Sequence, residues 1–107
     1  MPTISCSTGR NADEMAETTR RLRIHGRVQG VFYRAWSADA ARALGLRGWV
    51  RNRRDGSVEM LVAGDEDAVR RLIESCRTGP PAARVERIDV EEAWDEAPAR
   101  FETRPTV

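Results

Sequence analysis

The chain has 107 residues, 40% of them hydrophobic and 33% charged, and its 18 basic and 17 acidic side chains leave a formal net charge of +1. That length holds one core and not two, the composition is globular rather than fibrous or disordered, and no apolar run approaches the ~20 residues that a membrane-spanning helix needs. The balanced charge excludes the global basic field usual in nucleic-acid binders.

All 18 basic residues are arginine. Coding bias accounts for this in bulk, and selection for two-pronged anion binding is arguable only at single positions. Cys6 and Cys76 stand far apart with no CxxC spacing and read as plain thiols, and the single histidine, His25, cannot build a multi-histidine metal site. No metal or cofactor is therefore expected. The first residues lack the apolar core of a secretory signal, so the expected compartment is the cytoplasm.

Residues 1–18 are polar and small with no period, which predicts a mobile tail before a domain spanning residues 19–107. Met15 is an alternative start, because "MAETTRRLRIHG" runs straight into the first regular element. From Arg20 the pattern alternates: Leu22, Ile24, Gly26 and Val28 share one parity, and Arg21, Arg23, His25 and Arg27 the other. This predicts a strand with one wet face, on which His25 is solvated. Trp36, Ala40 and either Ala43 or Leu44 then recur at helical spacing between Arg34 and Gly45, a residue suited to a helix end.

"LRGWVRN" (46–52) and "SVEMLVA" (57–63) predict an antiparallel hairpin turned by Asp55-Gly56, with Val58, Met60 and Val62 on an apolar face and Glu59, Leu61 and Ala63 on a mixed one. A second helix follows, opened by Asp65, Glu66 and Asp67, striped by Val69, Leu72, Ile73 and Cys76, and ended by Gly79-Pro80-Pro81. "ARVERIDVEEAW" predicts a strand in which Val85 is out of parity with Ile88 and Val90, the mark of a bulge. A short run near Arg100 to Arg104, with Phe101 inward, predicts a last edge strand. The order β-α-β-β-α-β predicts an α+β, ferredoxin-like split βαβ sandwich: an antiparallel sheet of four or five strands with two helices on one face. Many functions share that fold, so the site must decide among them.

"HGRVQGVFYR" (25–34) places a glycine-bearing loop between a strand ending at Gly26 and a helix beginning near Arg34. Free N–H groups and the dipole at a helix N-terminus favour an anion. Gly26 and Gly30 leave room for its approach, and Arg34 adds a charged fork matched to two phosphate oxygens. Asn52, at the end of the strand before the hairpin, carries an amide that donates and accepts at once; by itself it also suits a turn.

Taken together, "IHGRVQGVFYR" and "GWVRNRRDGSVEMLVAG" resemble the two signature segments of the acylphosphatase family. The first matches at Gly26, Val28, Gln29, Gly30, Val31 and Arg34, the second at Gly48, Trp49, Val50, Asn52, Gly56, Val58 and Gly64. Tyr33 stands where the family commonly has phenylalanine, and its hydroxyl must then find a partner or water.

The resemblance implies hydrolysis of a carboxyl–phosphate mixed anhydride to a carboxylate and inorganic phosphate, without a metal or a covalent intermediate. Arg34 and the backbone N–H groups of Arg27, Val28, Gln29, Gly30 and Val31 would bind phosphate, which as product would also compete with substrate. Asn52 would orient the attacking water, Gln29 would support the loop, and Gly26, Gly48 and Gly56 would be structural. The expected partner is thus a small acyl phosphate, handled by a monomer with neither nucleic acid nor membrane. The rival readings are an anion- or acyl-phosphate-binding module without catalysis and an RNA-binding sheet. For the second, the outer positions Arg21, Arg23 and His25 lack the aromatic pair on which bases stack.

Overall fold

In the computed structural model, which describes residues 17–107, the first alternating run is strand β1 (Glu17–Arg27), with Leu22 and Ile24 fully buried on one side and Arg21, Arg23 and His25 half-buried on the other. Glu17 and Thr18 already pair in the sheet, opposite Asp65 and Gly64. The rest of the expected tail, with Cys6 and Met15, lies outside the described residues.

Helix α1 (Tyr33–Ala43) comes next, then the hairpin β2 (Arg47–Asn52) and β3 (Val58–Asp65), helix α2 (Glu66–Thr78), β4 (Arg84–Glu92) and the short β5 (Phe101–Arg104). The sheet order is β4-β1-β3-β2-β5. Both helices cover one face, α1 over β2 and β5 and α2 over β3, β4 and β1. The core between the layers includes Leu22, Ile24, Val50, Val58, Met60, Val62, Val69, Leu72 and Phe101.

The buried stripe of α1 differs from the expected one. Tyr33, Ser37, Ala38 and Ala41 face the sheet, Trp36, Ala40 and Leu44 pack at its edge, and Ala43 is exposed. Small residues carry little hydrophobic weight, so Trp36 dominates the sequence pattern although a small stripe is what lets the helix approach the sheet. Ser37 is tolerated there because its hydroxyl donates to the Arg34 carbonyl at 3.0 Å. In α2 the expected stripe is present: Val69, Leu72 and Cys76 are buried and Ile73 packs against them.

The sheet is mixed rather than wholly antiparallel, because β5 runs parallel to β2. Strand β4 ends at Glu92, paired with Arg20, at the end of the sheet where β1 and β2 begin. The chain passes from there to the opposite edge, with Ala93 and Ala97 packed on Trp49 and Leu61, so β5 starts at the same end as β2 and runs alongside it. Alternation records which face a residue takes and carries no strand direction.

The bulge is present: Gly26 stands opposite Val85 and His25 opposite Arg87, so Glu86 is left over. A Cβ on Gly26 would run into the Arg84 carbonyl, and its φ of 127° is one that side-chain-bearing residues avoid. Glycine is required where β1 leaves the sheet for the loop.

The outer face of β1 is wetter than the core yet far from bare. His25 Nε2 lies 3.1 Å from an Asp89 oxygen, so it is paired across strands rather than simply solvated. Glu59 is 5% exposed. It accepts from Arg51 Nε at 2.9 Å and Arg53 Nη1 at 2.8 Å, with Arg21 beside it at 3.6 Å. Burial pushes its carboxyl upward, but the hydrogen bonds and charges of Arg53 and Arg51 outweigh that and hold it below its ordinary value. Among the described residues no helix is long and apolar enough to cross a membrane.

Candidate active site

The C-terminal ends of β1, β2 and β5 meet at one end of the sheet, beside the N-terminus of α1. The two helices treat their N-termini differently. In α2, Asp65 accepts from the Ala68 N–H at 3.2 Å and Glu66 and Asp67 occupy the first turn, so its own carboxylates meet the orphan donors and the dipole. In α1 the first residue outside is Phe32, with no side-chain cap and no acidic residue in the first turn. Its free N–H groups remain available to an anion.

A cleft of about 330 Å³ opens there, lined by Val28, Gly30, Phe32, Tyr33, Arg34, Ala35 and Asn52. Among the described residues no carboxylate lines it. Loop and strand residues separated by more than twenty positions thus share one wall, and among the described residues its only formal charge is the Arg34 guanidinium.

Arg34 is fixed from behind. Its Nη1 donates to the Arg104 carbonyl at the end of β5, at 2.9 Å. Among the described residues it forms no ion pair with a carboxylate, so its remaining donors are not neutralised locally. Asn52, the last residue of β2, is held through its backbone: its carbonyl accepts from the Val107 N–H at 3.1 Å. Among the described residues its side-chain amide has no hydrogen-bond partner, which leaves both its donor and acceptor sides for the cleft.

The loop is shaped by two left-handed residues. Gly30 has φ 74°, at no steric cost to glycine, and Phe32 has φ 62° and ψ 21°. Gln29 turns away from the cleft and clamps the loop to the hairpin, its Nε2 donating to the Arg53 carbonyl at 2.6 Å and to the Ser57 carbonyl at 2.8 Å. The turn so gripped is itself tied, since Asp55 accepts from the Ser57 N–H at 2.9 Å and from its hydroxyl at 2.6 Å. The Ser57 hydrogen bonds hold the Asp55 carboxyl below its ordinary value.

Of the residues expected at the site, Val28, Gly30, Arg34 and Asn52 therefore line one cleft. Arg27 is the last residue of β1, paired with Arg84, and Val31 packs against the core; neither side chain lines the cleft. Gly48 lies in β2, where a Cβ would strike the Leu61 carbonyl, and Gly56 closes the hairpin turn. Phe32 and Ala35 also belong to the wall. Phe32 was visible in the sequence only as an apolar residue in a loop otherwise built for polar contact.

Behind the cleft, the Tyr33 hydroxyl donates to the Cys76 carbonyl at 2.7 Å in the last turn of α2. The phenol thus finds its partner inside the fold. Burial raises its pKa well above the ordinary value, which keeps it a neutral donor. Cys76 is a free, buried thiol, pushed up to about 11 by burial, and it does not line the cleft.

The family model described as Acylphosphatase matches residues 20–103. This chain belongs to the acylphosphatase family. It is 55% identical over 96 residues to an acylphosphatase of Acidovorax sp. (strain JS42), covering 90% of this chain and 99% of that one. It is also 59% identical over 83 residues to an acylphosphatase of Rhodopseudomonas palustris (strain BisB5), covering 78% and 84%. The fold is similar to the structure of an acylphosphatase from Coxiella burnetii, with a TM-score of 0.81 at 37% identity over 86% of this chain and 97% of that one. Relatives of this identity and coverage support acylphosphatase activity, and do not favour a binding module without catalysis.

Proposed function

We propose that the chain hydrolyses carboxyl–phosphate mixed anhydrides in the cleft between the 28–32 loop and Asn52, with Arg34 and the loop amides holding the phosphoryl group. The observation that carries the reading is the convergence of an uncapped helix N-terminus, an arginine anchored by a backbone carbonyl and an unengaged amide on one carboxylate-free wall. The loop donors run from Arg27 to Val31, with Gln29 as the brace.

The chemistry fits so small a set of groups. The leaving carboxylate has a conjugate acid of pKa roughly 4, so no general acid is needed to expel it at neutral pH. Water held by the Asn52 side chain attacks phosphorus, the bond from phosphorus to the acyl oxygen breaks, and the carboxylate departs with that electron pair. The water's proton passes to a phosphoryl oxygen. Charge on the equatorial oxygens is met by the Arg34 fork and the α1 N–H groups, which are already in position.

The reading takes the chain as a cytoplasmic monomer whose partner is a small acyl phosphate.

The test is hydrolysis of benzoyl phosphate in EDTA by wild type, Arg34→Ala, Arg34→Lys and Asn52→Ala, each shown to be folded. Losing one positioned donor typically lowers turnover about 10²- to 10³-fold, and the point charge of lysine does not restore the fork. Wild-type turnover in folded Arg34→Ala or Asn52→Ala would refute the assignment.

A further inference from the structure

Phe32 is 85% exposed and lines the cleft directly beside the loop that would take phosphate. Among the described residues it is the only non-glycine with a positive φ. A left-handed backbone is unfavourable for a bulky side chain, and glycine or asparagine would relieve it. Neither packing nor backbone preference therefore explains a phenyl ring at this position. The ring is not a helix cap either, since only the Phe32 carbonyl serves α1, accepting from the Trp36 N–H at 2.9 Å.

The other apolar members of the wall, Val28 and Tyr33, are each 1% exposed and belong to the core. Apart from the small Ala35, Phe32 is the apolar surface that the cleft presents to solvent. With phosphate at the amide and arginine end, this exposed ring is the apolar surface on the wall left for the acyl group to meet.

We propose that Phe32 is a specificity-determining residue that contacts the acyl end of the substrate and biases the chain toward aromatic or bulky apolar acyl phosphates over acetyl phosphate; this rests on the acylphosphatase reading above. A flat ring offers stacking and edge contacts to an aryl group and almost nothing to a methyl group.

The experiment measures kcat/KM for benzoyl phosphate and acetyl phosphate with wild type, Phe32→Ala and Phe32→Leu, and the inhibition constant of inorganic phosphate for each. Phe32→Ala is expected to lower the benzoyl-to-acetyl ratio about three- to tenfold, the range of an aromatic contact, and Phe32→Leu less. Competitive inhibition by phosphate should persist, showing that the loop still holds the anion. An unchanged ratio in active Phe32→Ala overturns the acyl contact and leaves the reaction standing. A wild type that hydrolyses neither acyl phosphate and is not bound by inorganic phosphate overturns both.

Discussion

Gln29→Ala removes two hydrogen bonds that join the 28–32 loop to the hairpin following Asn52, those to the Arg53 and Ser57 carbonyls. Each is worth about 1 kcal/mol net, so the substitution should destabilise the fold by about 2 kcal/mol. For a domain of this size that corresponds to a fall in melting temperature of about 10 °C. The loss is not only thermodynamic, because the clamp ties the loop amides to the strand end that carries Asn52. Phosphate inhibition should weaken, and turnover of benzoyl phosphate should fall in parallel.

Gln29→Glu sharpens the test. The carboxylate has the same shape but cannot donate, and it would face two carbonyl oxygens, so it should be at least as damaging as alanine at neutral pH. Thermal melting monitored by circular dichroism and the phosphate inhibition constant are the two readouts. A Gln29→Ala protein with wild-type melting and wild-type phosphate inhibition would refute the clamp, as would a Gln29→Glu protein indistinguishable from wild type.

Gly30→Ala has open space around the new methyl, so its effect should come from the φ of 74° alone, about 1 kcal/mol of backbone strain, read as weaker phosphate inhibition. Equal inhibition before and after the change would mean that the loop adapts without loss. Glu59→Gln leaves Arg21, Arg51 and Arg53 around an uncharged amide and should cost about 2 kcal/mol at pH 7 in urea unfolding. Because the folded pKa of Glu59 lies below its ordinary value of 4.5, its contribution is complete above that value and disappears as the pH falls through the folded pKa. The gap between wild type and Glu59→Gln should therefore begin to narrow as the pH falls below 4.5 and close once it passes the folded pKa, and a gap that stayed constant would exclude the arginine cluster as its origin.

Much of this protein was decided along the chain itself. The parity of Leu22 and Ile24, the Asp55-Gly56 turn, the stripe of α2 and the misfit of Val85 are local patterns, and each led to the element or irregularity observed. Arg34 and Asn52 were singled out because two motifs resembled one family, and the fold brings both to one wall. The buried stripe of α1 was misjudged because Ser37, Ala38 and Ala41 are small, and their burial follows from where the helix lands on the sheet rather than from their own hydrophobicity.

Other features depend on residues far apart in the chain. Only the packed structure decided that β5 runs parallel to β2, that Gln29 points to the hairpin, that Tyr33 finds Cys76 and that Arg34 is held by Arg104. Each is a pairing across more than twenty residues, and no local period records such a pairing because it exists only once the two layers have closed. The same holds for Phe32: its sequence position says that it follows a glycine loop, while its left-handed backbone and its exposed place on the cleft wall beside Asn52 appear only in the folded chain.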